Sequence, residues 1–239
     1  MPLPIFMTGH SLDSSSISEP AYKGKRAREK FDRISRLYGL VNIFGRKPNR
    51  EGIRLAEIRK GERILEIGTG VGSSLEEMVL LSDKIYGIDS SYGMVSFALG
   101  RLKRRGIKRV SIICAKGEYL PFQDKSFDLI FCSGLFDLLT EDESLKVLKE
   151  IKRVLKPEGR LLAINMTKKG DEISRLIRII YERFYSHIFK ILGDYRPLSR
   201  PIDFIDILKK ASFSIEWSKI NTILFFPFPV EIILSIPSG

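Results

Sequence analysis

Short, almost continuously apolar runs alternate with amphipathic stretches through the middle of the chain. Such runs are typical of strands that are buried on both faces of a parallel sheet. The five runs cover Arg63–Gly68, Lys84–Asp89, Val110–Ala115, Phe127–Gly134 and Gly159–Met166. Helical patterns separate them, at Gly72–Ser82, Tyr92–Arg105 and Glu141–Leu155. The alternation predicts a doubly wound α/β sheet that is covered by helices on both faces.

The segments on either side of this alternation complete the predicted architecture. Residues 1–20 show no periodicity and are predicted to be a flexible arm. Residues 21–60 are predicted to be a helical N-terminal extension with a break near Gly45 to Pro48. The tail Phe213–Phe228 is expected to add an antiparallel hairpin, with its prolines at a sheet edge. The expected fold is a Rossmann-like sheet of seven strands, parallel with one antiparallel strand, within residues 61–239.

One helical stretch interrupts the alternation after the fifth strand. Residues 171–192 carry a broad apolar stripe that includes two tyrosines and two phenylalanines. One interpretation is a helix that packs on the core. The other is a cap over an apolar substrate, because the stretch follows the carboxyl ends of the strands, where such sheets bind ligands.

Positive charge is concentrated near the N-terminus of a chain whose net charge is +11. Between Tyr22 and Lys60 there are 13 Lys or Arg residues against 4 Asp or Glu, and Arg101–Arg109 adds six more positive charges. Basic segments attract nucleic acid and anionic lipid head groups, although a solvated surface is the simpler explanation. No apolar run has the length of a membrane span, and no secretory pattern opens the chain. With only two cysteines, we expect a cytoplasmic protein that is at most peripheral to the membrane.

The most informative stretch is ILEIGTGVGSS, which lies between the first predicted strand and the helix that follows it. Its three glycines, which permit a tight turn and close approach of the backbone to a ligand, are Gly68, Gly70 and Gly72. Glu66 precedes them, and Asp89 ends the second strand, 19 residues past Gly70. A carboxylate at that strand end is positioned to bind both hydroxyls of a ribose.

These residues resemble the class I S-adenosylmethionine-dependent methyltransferases, which have the pattern E-x-G-x-G-x-G and a strand ending in Asp. The resemblance continues through Ala115–Gly134, where E-x-L-P-F precedes S-F-D, and through R-V-L-K-P-x-G-x-L within Leu148–Met166. These phrases are specific to the type 11 group. Phe31–Asn42 and Arg200–Phe213 are similar to the ubiquinone/menaquinone-biosynthesis C-methyltransferases of that group. The resemblance implies that residues 61–239 are a methyltransferase domain with S-adenosylmethionine as its cofactor.

The resemblance also implies a cofactor site. Glu66 is expected near the methionine amino group, Asp89 at the ribose, and Ser133 near the methionine part and the methyl group. Residues that follow the second and third strands are expected to line the adenine, although Lys116 replaces the Asp or Asn that is usual in the family. The implied cofactor residues are Glu66, Gly68, Thr69, Gly70, Gly72, Asp89, Ser90, Met94, Lys116, Gly117, Glu118 and Ser133.

The catalytic residue stays open because the cofactor carries the reactive group. The protein must align the acceptor and exclude water, and it needs a general base only if the acceptor loses a proton. Candidates for that base are Asp137, Tyr38 and His187, with a helix cap near Thr140 as the alternative role of Asp137. No metal site is predicted.

The acceptor is predicted to be a small, largely apolar molecule, quinone-like or a lipid, with an anionic membrane surface as a further partner. Gly39, Phe136 and Asp137 depart from the quinone subgroup, so the ring and the methylated atom stay open. One alternative is an RNA or protein methyltransferase that uses the basic N-terminal segment. Against base methylation, CSGLFD replaces an N-P-P-Y-like turn, and neither cysteine adjoins a proline. The other alternative is a non-catalytic scaffold that binds the cofactor.

Overall fold

The computed structural model describes residues 5–8, 46–167, 169, 201–221 and 229–238. All strands of these ranges lie in one sheet. In chain order they are β1 (Ile5–Thr8), β2 (Arg63–Ile67), β3 (Lys84–Asp89), β4 (Val110–Cys114), β5 (Phe127–Ser133), β6 (Leu155–Met166), β7 (Phe213–Asn221) and β8 (Val230–Pro237). The helices are α1 (residues 46–55), α2 (Ser73–Met78), α3 (Tyr92–Arg104), α4 (Glu141–Val154) and α5 (Phe204–Lys210), and a 3-10 turn covers Phe136–Leu138.

The strand order across the sheet is β1-β4-β3-β2-β5-β6-β8-β7. Strands β2 to β6 are parallel, and β8 is antiparallel to both β6 and β7. The chain winds outward from β2 in one direction and then returns to start in the other direction at β5. The carboxyl ends of β2 and β5 therefore flank the topological switch point, where α/β sheets form their ligand crevice. The predicted doubly wound sheet is confirmed: its seven strands, with one antiparallel, are β2 to β8, and β1 adds an eighth strand that is antiparallel to β4.

Helices cover both faces of the sheet, and successive residues of each strand lie on opposite faces. Ile64 and Phe131 belong to the apolar cluster under α1, α2 and α3. Leu65 and Ile130 belong to the cluster under α4 and α5, which also contains Phe204. Burial on both faces explains why these strands are continuous apolar runs in the sequence. None of the helices in the described ranges is long and apolar enough to cross a bilayer.

Four residues of the predicted arm form a strand. β1 pairs antiparallel with β4, with Ile5 opposite Cys114 and Thr8 opposite Ser111. The prediction of a flexible arm is therefore wrong for these four residues, and the remainder of residues 1–20 lies outside the described ranges. A run of four residues is too short to show a clear period, and Pro4 beside it is typical of loops.

The closing hairpin is present, but its second strand lies later than predicted. β7 forms the sheet edge and pairs antiparallel with β8. The predicted hairpin ended at Phe228, whereas β8 starts at Val230, directly after Pro229. A central strand needs its backbone N–H groups, which proline lacks, so β8 begins only after the last proline before it.

The described part of the N-terminal extension is α1. The predicted break near Gly45 to Pro48 does not extend past residue 45, because Pro48 lies inside the helix. The break was predicted there because proline lacks a backbone N–H and often ends a helix, but the described residues on both sides of Pro48 are helical. Residues 21–45 of the extension and the predicted cap helix 171–192 lie outside the described ranges.

Candidate cofactor site

The loop between β2 and α2 holds its three glycines in left-handed backbone conformations. Gly68, Gly70 and Gly72 have φ angles of 78°, 52° and 75°. The N–H groups of Gly68 and Thr69 donate to the carbonyl oxygen of Ile88 at 2.9 and 3.0 Å, so the loop folds back over the end of β3. The buried Thr69 hydroxyl donates to the same oxygen at 3.0 Å. A Cβ at Gly70 would have no heavy atom within 4 Å, so the loop borders open space there.

Asp89 ends β3, and its carboxylate accepts two backbone hydrogen bonds. Oδ2 accepts from the Gly70 N–H and Oδ1 from the Ser91 N–H, each at 2.8 Å. Burial raises the pKa of Asp89, and the two hydrogen bonds oppose that shift. A carboxylate has about four lone-pair sites, so each oxygen keeps the capacity for a further donor. The cap of α3 is Ser91, whose Oγ accepts the Met94 N–H at 3.3 Å, which leaves the Asp89 carboxylate available for ribose hydroxyls.

Glu66 is a buried carboxyl group on the central strand β2. Its side chain is 3% exposed. Burial raises the pKa of Glu66 well above its usual value, a hydrogen bond from Ser74 lowers it, and the charge of Asp89 raises it further. Its Oε2 has no hydrogen-bond partner among the described residues. A buried carboxylate oxygen without a partner is costly, so this atom suits a cationic donor such as an amino group.

The structure adds a residue that the sequence analysis missed. Asn49 of α1 is buried beside the glycine loop. Its Nδ2 donates to Ser74 Oγ at 3.0 Å, and its Oδ1 accepts from Ser133 Oγ at 2.7 Å. Asn49 therefore joins the first turn of α2 to the end of β5. No motif marks this asparagine in the basic stretch that surrounds it.

The remaining predicted cofactor residues lie around Asp89, at the ends of β3 and β4. The Ala115 N–H donates to the Asp89 carbonyl oxygen at 3.0 Å, which holds the loop after β4 beside the aspartate. A Cβ at Gly117 would lie 3.2 Å from Cγ2 of Val147, so that loop packs closely on α4. Met94 is buried at the start of α3, whereas Ser90 and Lys116 are exposed and Glu118 is half-buried. The structure thus brings these residues to the edge where Asp89 lies.

Asp137 lies in the 3-10 turn after β5 and is 4% exposed. Both carboxylate oxygens accept the Met166 N–H, at 3.0 and 3.1 Å, which ties this turn to the end of β6. Burial raises the pKa of Asp137 to about 8, and the hydrogen bond from Met166 opposes the shift only in part. Asp137 does not cap α4, because Thr140 does so in a capping box with Glu143. The predicted alternative role of Asp137 is therefore wrong.

The other two candidates for a general base, Tyr38 and His187, lie outside the described residues. Neither cysteine is activated as a nucleophile. Burial and the charge of Glu66 raise the pKa of Cys132 far above its usual value, and burial and Asp89 raise that of Cys114. The thiolate is the reactive form. Within the described ranges, no group of three or more His, Cys, Asp or Glu side chains could hold a metal ion.

Comparison with known proteins assigns the family. A family model described as "Methyltransferase domain" matches residues 65–163, from β2 into β6. A ubiquinone/menaquinone biosynthesis C-methyltransferase from Geobacter sulfurreducens is 31% identical over 183 residues, which are 72% of this chain and 68% of that protein. The chain belongs to the type 11 family of S-adenosylmethionine-dependent methyltransferases. The predicted enzyme class and cofactor are confirmed.

Two further comparisons agree with this family. A demethylmenaquinone methyltransferase from Geobacillus stearothermophilus is 30% identical over 175 residues, which are 70% of this chain and 74% of that protein. The crystal structure of a SAM dependent methyltransferase from Aquifex aeolicus matches with a TM-score of 0.58 and 22% identity, over 79% of this chain and 89% of that one. At that identity the match shows the methyltransferase fold alone.

The described residues fit the cofactor of this family. Within the described part of the chain, Glu66 Oε2 is a buried acceptor without a partner, as a cationic amino group requires. Both oxygens of Asp89 can accept another hydrogen bond at the strand end where a ribose is bound in such folds. Open space lies where a side chain at Gly70 would be. Free acceptor capacity therefore lies on Glu66, in the strand before the glycine loop, and on Asp89, which contacts that loop at Gly70.

Proposed function

We propose that this methyltransferase acts on a small, largely apolar acceptor, a quinone-like ring or a related lipid. The observation that carries the proposal is the identity of 31% and 30% to two enzymes named for quinone methylation, over 68% and 74% of their lengths. Leu135 and Leu138 support it, since they place apolar side chains beyond Ser133 at the end of β5. Leu138 is 54% exposed. Burial of an apolar acceptor contributes about 25 cal/mol per Å².

The same proposal assigns the cofactor contacts. S-adenosylmethionine supplies a methyl group on a positively charged sulfur. Glu66 binds the amino group of the methionine part, because its Oε2 is a buried acceptor that no described residue hydrogen-bonds. Asp89 binds the ribose hydroxyls, and its bonds to Gly70 and Ser91 hold the carboxylate in place. The fixed backbone around Gly70 positions the cofactor relative to the acceptor and excludes water.

A methyl group that replaces a hydrogen on the acceptor requires a proton to leave. Of the three predicted candidates for a base, Asp137 is the one within the described residues. With a pKa of about 8, Asp137 is mostly protonated at pH 7, so a reaction that uses its carboxylate as the base should become faster as the pH rises toward 8. Asp137 lies in the turn that follows β5, between Ser133, the last residue of that strand, and Leu138.

The basic N-terminal segment supports a site of action at an anionic membrane surface, where apolar acceptors partition. Each basic side chain close to such a surface contributes about 1 kcal/mol of attraction. The segment from Tyr22 to Lys60 has an excess of nine positive charges, 13 against 4. In this proposal the segment recruits the enzyme and takes no part in the chemistry.

Incubation of the purified protein with S-adenosylmethionine and demethylmenaquinol is expected to yield a product that is heavier than the quinol by one CH₂. The reduced ring is the electron-rich form, and a short prenyl tail keeps it soluble. Mass spectrometry of the organic extract measures the product. The matched control is the same quinol without its prenyl tail, which should react more slowly because less apolar surface is buried. Absence of product from every prenylated quinol, with an enzyme that binds the cofactor, would contradict the quinone-like acceptor.

A further inference from the structure

Asn49 contacts two parts of the cofactor site that are distant in the sequence. Its partners Ser74 and Ser133 are 25 and 84 residues away, and Asn49 itself is 6% exposed. We propose that Asn49 is a positioning residue, which orients the hydroxyl groups of Ser74 and Ser133 so that the site accepts the amino group of the cofactor. This inference rests on the proposed contact between Glu66 and that amino group.

The direction of each hydrogen bond in this series follows from Glu66, the acceptor at its end. Burial favours the protonated form of Glu66, and the ammonium group of the cofactor favours the carboxylate, which can only accept. Ser74, which hydrogen-bonds to Glu66, has a single O–H to donate to that carboxylate. Ser74 must then accept its other bond, so the Asn49 amide nitrogen faces Ser74, at 3.0 Å. The amide oxygen faces Ser133, which donates to it at 2.7 Å. Asn49 thus orients the Ser74 hydroxyl to donate to Glu66 and the Ser133 hydroxyl to donate to Asn49 Oδ1.

The result is a pair of hydrogen-bond acceptors on one face of two neighbouring strands. Glu66 of β2 lies opposite Phe131 of β5, and Ser133 follows two residues later on the same face. The Ser133 hydroxyl donates its hydrogen bond to Asn49 Oδ1, so its oxygen can only accept from a ligand. Glu66 Oε2 has no partner among the described residues. Two acceptors suit an ammonium group, which has three donors and no acceptor.

Helix α1 is held firmly enough to keep Asn49 in this position. A Cβ at Gly52 would lie 2.9 Å from Cδ1 of Ile164, so the helix lies very close to β6. The Arg160 guanidinium donates to the carbonyl oxygen of Ala56 at 2.8 Å, just past the end of the helix. Lys219 of β7 pairs with Glu51 at 2.7 Å. These contacts anchor α1 to the domain and, in this proposal, make it part of the cofactor site.

The test compares the dissociation constants of two ligands, S-adenosylmethionine and 5′-methylthioadenosine, which differ at the methionine end. 5′-Methylthioadenosine keeps the adenine and ribose and lacks the amino acid part. Asn49→Leu should weaken S-adenosylmethionine binding by about tenfold, as expected for a weakened hydrogen bond to a charged group, and leave 5′-methylthioadenosine within about twofold. Titration calorimetry measures both dissociation constants, and Lys47→Ala, an exposed change on the same helix, should alter neither.

A double-mutant cycle tests whether Asn49 acts through Ser74. Ser74→Ala should also weaken S-adenosylmethionine binding, and the double variant Asn49→Leu/Ser74→Ala should lose less affinity than the sum of the two single losses, because only the effect through Ser133 then remains for Asn49→Leu. Equal losses for the two ligands, additive losses, or no loss would overturn the proposal. Circular dichroism checks the fold, and Ser74→Ala and Ser133→Ala apply the same two-ligand test if Asn49→Leu does not fold.

Glu66→Gln separates this inference from the proposed cofactor contacts. Loss of S-adenosylmethionine affinity in Glu66→Gln with no loss in Asn49→Leu would contradict the role of Asn49 alone. Unchanged affinity in Glu66→Gln would contradict the contact between Glu66 and the amino group, and the role of Asn49 with it.

Discussion

Asp89→Ala should weaken binding of S-adenosylmethionine by at least about tenfold, because two hydrogen bonds to a charged group are lost, each worth about 1.5–3 kcal/mol. The structure adds a second reason. The Asp89 carboxylate also accepts the N–H groups of Gly70 and Ser91 at 2.8 Å, so its removal frees the glycine loop as well. Titration calorimetry at constant pH measures the change in the dissociation constant.

The matched control for this variant lies at the opposite end of the same strand. Asp83 precedes β3 and forms an exposed ion pair with Arg109. Asp83→Ala should leave the affinity for S-adenosylmethionine unchanged and reduce stability by at most about 1 kcal/mol. An Asp89→Ala protein that binds the cofactor as tightly as the wild type would show that the ribose is held elsewhere.

Asp137→Asn should stabilise the protein at pH 8 far more than at pH 5. The folded protein keeps the Asp137 proton up to a pKa of about 8, whereas the unfolded chain loses it near the usual value of 3.8. Between these pH values the unfolded state binds fewer protons, so this group lowers stability as pH rises. At about 1.4 kcal/mol per pKa unit, the full penalty is about 6 kcal/mol. An asparagine oxygen can still accept the Met166 N–H and carries no charge.

Urea unfolding of both proteins at several pH values measures this difference. Glu66 and Asp89 also have raised pKa values, but they are common to both proteins and cancel in the comparison. Asp128→Asn is the control of opposite sign. Burial raises the pKa of Asp128, but hydrogen bonds from Lys156 and from the Arg63 N–H outweigh it and lower the pKa overall. Its substitution should cost stability at pH 8, and identical pH profiles for Asp137→Asn and wild type would show that Asp137 is not held protonated.

The parts of the fold that can be predicted from the sequence are those with a pattern of apolar residues, glycines or acids within one short segment. β2 and β5 are buried on both faces, so each is a continuous apolar run that the sequence displays directly. The contact between Asp89 and Gly70 was also predictable in outline, because a glycine loop after one strand and an acid at the end of the next meet at the switch point of such a sheet. The burial of Glu66 follows from its place within the central strand.

The parts that sequence did not predict depend on contacts between distant segments. Asn49 reaches Ser133 across 84 residues, and only the packing of α1 on the sheet brings the two together. The partner of Asp137 is the backbone N–H of Met166, a group that every residue except proline has, so the sequence carries no signal for it. β1 is only four residues long and has no period of its own to detect.

One labelling measurement tests most directly whether the methyl acceptor is a small, largely apolar molecule. The protein is incubated with S-adenosylmethionine that carries a radiolabelled methyl group and with a cell extract, which is then separated into lipid, RNA, protein and polar-metabolite fractions. Asp89→Ala protein, which should bind the cofactor poorly, gives the background. Label above this background is expected in the lipid fraction. Label that appears only in RNA or only in protein would contradict an apolar acceptor and would favour recruitment of a macromolecule by the basic N-terminal segment.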